Sequence, residues 1–434
     1  MSDRFFADYV LPMDDGFSIH APGYVDVAEG RVVAVGDASG APSQPAAREH
    51  HFEGVLMPGL VNGHAHSAMT VLRGAGEGLP LDRWLTEVIW PREARMRSGD
   101  AGVGMIVGAA EMLLGGVTTT NEMYFFPEAI AEGARSTGMR SVVNVAIIEA
   151  PGVERFGTPE EAMGTALALR DRYAADDLVE IGLGPHSAYT LSDAALRDIG
   201  ELAAAEGLPL HIHLAETRTE GDAVTERTGK TVPRHLADLG VFAGRVSAAH
   251  CVWLDEADVL LLAEHSVGVA HCPGSNGKLA SGVAPVAAMR RRGIAVGAAT
   301  DGPASNNDLD LWEEARLALL YARLREDDAA VLGVEDALRM VTSEAAAALS
   351  RPDLGALAPG RWADMIRVSL DHVAYDPIHT PEDVVSDLVW AGSARDVADV
   401  WVGGVQVVAD RAVLTVDVDE ARHDLRAAAL RIAG

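Results

Sequence analysis

Between residues 55 and 325 the sequence repeats one unit eight times: an apolar run, then a segment rich in Ala, Leu, Glu and Arg. The runs are Val55 to Val61, Val117 to Met123, Ser141 to Ile148, Val179 to Gly184, Leu210 to Leu214, Val246 to Val252, Val267 to His271 and Ile294 to Thr300. Short, continuously apolar strands are those buried on both faces, as in a parallel sheet whose crossovers are helices. Eight such units over this length predict an α/β fold built on a (β/α)8 TIM barrel. An open doubly wound sheet uses the same units, and the polar residues decide between the two. In barrels, catalytic side chains stand at the C-terminal ends of strands. His64, His66, His186, His213, His250 and Asp301 all fall at such ends. An open sheet would gather them only where its strand order reverses.

The flanks read differently. Phe5 to Leu11, Tyr24 to Val27 and Arg31 to Val35 are strand-like, with Ala28-Glu29-Gly30 as a hairpin turn, and a polar loop runs from Asp37 to Arg48. Beyond the barrel, helices are expected over Leu309 to Arg325 and Val334 to Leu349. Strands follow at Met365 to Val368 and Val397 to Val408, turning at Gly403-Gly404, and an amphipathic helix at Val418 to Ile432 ends the chain. Neither flank has enough apolar sequence for a core of its own. The expected organisation is therefore residues 1–56 and 353–434 joined as one small β-sandwich, the second part carrying the C-terminal helix, beside a metal-dependent barrel at 57–352.

Composition excludes several functions. A net charge of −29 repels nucleic-acid phosphates and anionic membrane surfaces. No run of 18 uncharged apolar residues and no basic-then-apolar start occur, so neither a membrane span nor a signal peptide is expected. Cys251 and Cys272 are the only cysteines and form no CxxC, which suits a reducing cytoplasm. The expected partners are a small heteroaromatic substrate and further copies of the chain.

His64 and His66 lie two apart on an extended segment, so their imidazoles point the same way and can share a metal ion. Two ligands are too few, and the chain offers others at long range: His213, Asp301 and, two residues from His213 on the same face, His211. Three neutral imidazoles and a carboxylate suit a divalent metal with room for a water, zinc foremost and iron or manganese otherwise. On residue chemistry alone, Asp301 is also a good helix N-cap, Glu216 a loop carboxylate and Glu93 a carboxylate on a solvated helix face.

Five ordered stretches carry a resemblance: Pro58 to His66, Gly184-Pro185-His186-Ser187, His211 to Thr217, Ala249-His250-Cys251 and Thr300 to Asn307. Together they resemble the amidohydrolase superfamily, and within it the adenosine, methylthioadenosine and S-adenosylhomocysteine deaminases. The resemblance implies that His64, His66, His213 and Asp301 bind the metal, with His211 packed behind. It further implies that Glu216 shuttles protons, His250 holds the attacking water or the forming C–O group, and Asp301 serves the reaction as well as the metal. Glu93 and His186 then contact ribose hydroxyls, with Trp90 and Asn306 also against the substrate. The implied reaction is hydrolytic deamination of a 6-aminopurine nucleoside of the adenosine, 5'-deoxyadenosine or methylthioadenosine type, releasing ammonia. A chlorotriazine-type or other aromatic-ring hydrolase, and a free-base deaminase for guanine or a pterin, are the alternatives within the superfamily. A non-catalytic structural relative is the alternative outside it, and the intact set of histidines and carboxylates counts against that.

Two departures are informative. Relatives that accept S-adenosylhomocysteine carry arginines after the third strand, where this chain has Asn144-Val145-Ala146-Ile147 and only Arg155 nearby. With the acidic excess, that argues against a charged tail on the substrate. Binuclear members bridge two ions through a lysine at the end of the fourth strand. The only lysines here are Lys230 and Lys278, both elsewhere, so one metal per chain is expected.

Overall fold

The computed structural model describes residues 2–44 and 46–434. The chain opens with β1 (Asp3–Val10), β2 (Gly23–Ala28), β3 (Arg31–Asp37) and β4 (Arg48–Pro58). Glu29 and Gly30 both take positive φ, the twist a two-residue hairpin between β2 and β3 requires. Eight strands of the barrel follow: β5 (Leu60–Ala65), β6 (Val117–Tyr124), β7 (Arg140–Ile147), β8 (Val179–Pro185), β9 (Leu210–Leu214), β10 (Val246–His250), β11 (Gly268–His271) and β12 (Val296–Ala298). They pair in sequence order, all parallel. The ring closes between the last strand and the first. Ala65 bridges Asp301, whose N–H donates to the His64 carbonyl at 3.0 Å. At the same seam Asn62 and Thr300 exchange two hydrogen bonds, at 2.8 and 3.1 Å. Closure excludes the open-sheet alternative.

The final strands are β13 (Met365–Val368), β14 (Val397–Val402), β15 (Val405–Ala409) and β16 (Ala412–Val413). With β1 to β4 they make a single mixed sheet in the order β16-β15-β14-β13-β4-β1-β2-β3. The two termini meet where β13 runs antiparallel to β4, Ile366 facing Met57 and Val368 facing Val55. Phe5, Val25, Val27, Leu56, Met365 and Trp401 form that sheet's own core, each large apolar side chain contributing roughly 1.5–3 kcal/mol on burial. A buried ion pair ties the sheet to the barrel, Arg140 of β7 donating to both oxygens of Asp364 at 2.9 and 3.1 Å.

Two segments differ from the sequence expectation, each for a local reason. The apolar run Val55 to Val61 is two strands, β4 in the mixed sheet and β5 in the barrel, divided at Gly59. A Cβ there would stand 2.2 Å from the Thr118 hydroxyl, so only glycine lets the chain pass between the sheets so close to β6. The helix expected over Val334 to Leu349 is two, Val334–Met340 and Ser343–Ala348. The carbonyl of Val341 between them accepts the Val61 N–H of β5 instead of a helical donor. The C-terminal helix Val418–Ala433 packs on the helix Ser98–Leu114. Among the described residues no helix is long and apolar enough to cross a membrane, and both cysteines are buried and unpaired.

Candidate active site

The ends of β5, β9 and β10 and the turn after β12 bring His64, His66, His213, His250 and Asp301 together. The Oδ1 of Asp301 lies 3.3 Å from Nε2 of His64 and 3.4 Å from Nε2 of His66, and Nε2 of His213 is 3.3 Å from that of His66. Ligand atoms of His64, His66 and Asp301 all lie within 4.8 Å of one another, as do those of His64, His213 and His250. His250 is therefore as close to the cluster as a ligand. Four residues at or within three positions of strand ends, Ala215, His250, Cys251 and Asp301, adopt left-handed φ of 49°, 71°, 51° and 61°. Such conformations in non-glycine residues cost of order 1 kcal/mol each and gather at working sites.

Neighbouring hydrogen bonds set every tautomer in the cluster. A carbonyl only accepts, so Nδ1–H of His66 donates to Met123 O at 2.5 Å and Nδ1–H of His213 to His186 O at 2.8 Å. His211 lies behind His64. Its Nδ1–H donates to the Ser247 carbonyl at 3.1 Å, beside the Ser247 hydroxyl, which leaves its Nε2 to accept from Nδ1–H of His64 at 2.7 Å. Each of the three rings thus turns a bare Nε2 lone pair inward. That of His64 is fully buried and has no hydrogen-bond partner. Burial holds the ring neutral, its pKa pushed down to about 4, and lowers His211 and His213 as well. Asp301 offers Oδ1 inward while its Oδ2 accepts from the hydroxyls of Ser275 and Ser305, at 2.6 and 2.8 Å. Burial opposes its charge, but the surrounding histidines hold its pKa well below the usual range. An orphaned imidazole nitrogen facing two more and an ionised carboxylate fits a divalent metal ion.

Glu216 follows β9 and is buried, with Oε2 3.7 Å from Nε2 of His250 and Oε1 3.3 Å from the Ser281 hydroxyl. Burial raises its pKa, against the pull of His250. For His250, burial disfavours the charged ring, yet Glu216, Asp301 and a 2.9 Å hydrogen bond to Asn276 outweigh it and raise its pKa. Two adjacent groups whose pKa values are both displaced upward suit proton transfer near neutrality.

A cavity of about 670 Å³ opens above these residues. Met69, Leu81, Trp84, Leu85, Ile89, Trp90, Phe125, Ile148 and Leu279 give it apolar walls, and among the described residues no Arg or Lys lines it. The covering segment, residues 81–93, is anchored by Trp84, whose indole N–H donates to Ala75 O at 2.9 Å. Glu93 closes one side, Oε1 accepting from the Tyr124 hydroxyl at 2.7 Å, and burial pushes its pKa up to about 7. His186 and Trp90 also line the cavity. Asn306 does not: its amide donates to Thr300 O and to Glu314, both at 2.9 Å, and Ser305 takes the lining position beside it. Arg155 is turned away, donating to Ala94 O outside the wall.

Sequence reasoning missed Glu220, Ser275, Ser305 and Asn276. Glu220 accepts the backbone N–H of Glu216 at 2.8 Å and of Ala215 at 3.3 Å, fixing the turn that aims the Glu216 carboxylate. Its signal was legible: Thr217-Arg218-Thr219-Glu220 has the spacing of a helix-capping box, and Thr217 does cap the helix Arg218–Thr228. The others are small polar residues, Ser275 and Asn276 in the short helix Pro273–Lys278 and Ser305 in a turn, with no spacing to mark them.

The sequence pattern of the Amidohydrolase family matches residues 55–407. The chain belongs to that family. A 5-methylthioadenosine/S-adenosylhomocysteine deaminase of Symbiobacterium thermophilum is 40% identical over 432 residues, 98% of this chain and 97% of the relative. A 5'-deoxyadenosine deaminase of Methanothermobacter thermautotrophicus is 37% identical over 380 residues, covering 88% of each. Among solved structures, an adenosine deaminase from Xanthomonas campestris with bound zinc superimposes with a TM-score of 0.95 at 35% identity, over 99% of this amidohydrolase and 98% of that chain.

Proposed function

We propose that this amidohydrolase is a zinc-dependent deaminase, with one ion per chain, that converts a 5'-modified adenosine to its 6-oxo product and ammonia. The observation that carries the reading is the pairing of Glu216 with His250 beside the inward-facing donors of His64, His66, His213 and Asp301, under an apolar cavity of nucleoside size. The three relatives, each named for adenosine or a 5'-modified adenosine, support the choice of purine.

His64, His66, His213 and Asp301 would hold the ion. A divalent metal there supplies Lewis acidity and makes water a competent nucleophile at neutral pH. Glu216 takes a proton from the attacking water and delivers it to N1 of the purine, so that negative charge does not build on the ring as the water oxygen bonds to C6. His250 donates from Nε2 to the oxygen added at C6 and stabilises the tetrahedral carbon. Glu216 then moves the second water proton to the amino group, the C6–N bond breaks, and ammonia leaves. Glu93, through the oxygen not engaged by Tyr124, and His186 hold the ribose hydroxyls, with Trp90 against the nucleoside.

The deciding experiment incubates zinc-loaded protein with adenosine, 5'-deoxyadenosine, 5'-methylthioadenosine, guanine and a chlorotriazine, following ammonia and chloride separately. Ammonia from the 5'-modified adenosines is expected. Chloride from the triazine with no ammonia from any nucleoside would refute the reading.

A further inference from the structure

Glu314 is a buried carboxylate that the proposed reaction does not use. It stands on the helix Leu311–Glu326 after β12 and is only 1% exposed. Burial pushes its pKa well above the carboxylate range, although two neutral donors pull the other way. Those donors come from different loops. Oε2 accepts the Gly274 N–H at 2.8 Å, in the short helix Pro273–Lys278 after β11, and Oε1 accepts from the Asn306 amide at 2.9 Å, in the turn after β12. The fit is close. A Cβ at Gly274 would stand 2.2 Å from Oε1 of Glu314 and 2.7 Å from Oδ1 of Asn306, so residue 274 has no room for a side chain.

Both donors adjoin residues that touch the cluster. Ser275, next to Gly274, and Ser305, next to Asn306, each donate to Oδ2 of Asp301 and so leave its Oδ1 toward the histidines. Asn276, two beyond Gly274, holds Nδ1 of His250 at 2.9 Å. The Asn306 amide that reaches Glu314 also donates to the carbonyl of Thr300, the residue before Asp301. One carboxylate therefore joins the loops that carry Ser275, Asn276 and Ser305. Its chemistry is specific to the task. A carboxylate accepts on both oxygens, whereas a glutamine in its place would turn its NH2 onto one of the two donors.

We propose that Glu314 is a positioning residue: by clamping the loops after β11 and β12 together, it keeps Ser275 and Ser305 on Asp301 and Asn276 on His250. It touches neither the substrate nor the reacting atoms. The effect on turnover rests on the deaminase reading above, while the effect on the metal does not.

The experiment compares wild type, Glu314→Gln, Glu314→Ala and Leu319→Ala in zinc affinity by chelator competition, in Tm, and in kcat and KM for 5'-methylthioadenosine. Leu319 is buried in the apolar core from the same helix, so its truncation destabilises the fold without removing a hydrogen bond. In both Glu314 variants zinc should be held about tenfold more weakly, the lower end for losing support behind a ligand. Their kcat should fall about tenfold with KM nearly unchanged, since the ribose contacts lie elsewhere. Leu319→Ala should lower Tm and leave zinc affinity and kcat near wild type. Should Glu314→Ala fail to fold, Glu314→Gln, of nearly the same shape, carries the test. Wild-type zinc affinity and kcat in Glu314→Gln, or equal losses of both in Leu319→Ala, overturn the clamp and leave the deaminase reading standing. A wild type that releases no ammonia from the nucleoside overturns that reading instead, and the zinc measurement still decides the clamp.

Discussion

Replacing Glu93 by Gln will make the folded protein more stable above neutral pH and at the same time a poorer enzyme. Glu93 is only 3% exposed, and burial outweighs the Tyr124 hydrogen bond to raise its pKa from 4.5 to about 7. Between those values the folded state holds a proton that the unfolded chain has released. Stability from this group is therefore lost as pH rises through the window, with the whole cost present above pH 7. At 1.36 kcal/mol per pH unit the cost is about 3 kcal/mol. Glutamine has the same shape, retains an oxygen for Tyr124 and carries no charge to desolvate. Unfolding 434 residues at about 2.1 cal/mol/K each gives roughly 0.9 kcal/mol per kelvin, so Tm should rise by about 3–4 °C near pH 8 and hardly at all near pH 5. Scanning calorimetry of both zinc-loaded proteins across that range reads the difference directly. A Tm gap that does not change with pH, or one larger at pH 5 than at pH 8, would refute the reasoning. The functional half has its own control: KM should rise far more for nucleosides than for the free base adenine. Equal effects would remove Glu93 from the ribose.

Other substitutions probe other parts of the site. Glu216→Gln should leave zinc content nearly unchanged and lower kcat about 10²-fold or more; loss of metal with partial activity would make Glu216 a ligand instead. His211→Phe removes the acceptor for Nδ1–H of His64 and should weaken zinc about 10–100-fold in a chelator competition, whereas unchanged affinity would mean that His64 is oriented by packing alone. Metal analysis should return one ion per chain. The end of β8 offers no bridging lysine, Lys278 being bound to Ala304 O at 3.1 Å and Lys230 to Asp238; two tightly held ions, both needed for turnover, would contradict this.

What could be read in advance follows a physical division. Strands of the barrel are continuous apolar runs because both faces are buried, and their ends are marked by residues too polar to be there for packing. The cluster of histidines with Asp301 was therefore visible at long range. Tertiary demands on single atoms were not. The strand division at Gly59 depends on Thr118, and the helix break near Thr342 depends on a carbonyl taken by Val61; neither partner is a sequence neighbour. Asn306 follows the same logic. Its chemistry suits a ligand contact, but Glu314 and the Thr300 carbonyl claim its amide.

The seam that closes the ring has a consequence for how the molecule comes apart. Asn62 and Thr300 are separated by 238 positions, and His64, His66 and Asp301 lie directly beyond them on the same two edges. A ligand shared by those three side chains fastens the first staves of the cask to the last. For a loop of that length a permanent fastening restricts the unfolded chain by on the order of 5 kcal/mol. Stripping the ion should then loosen one line rather than the whole wall. Amide hydrogen exchange would quicken along β5 and β12 while β7 and β8, on the far side, keep their protection.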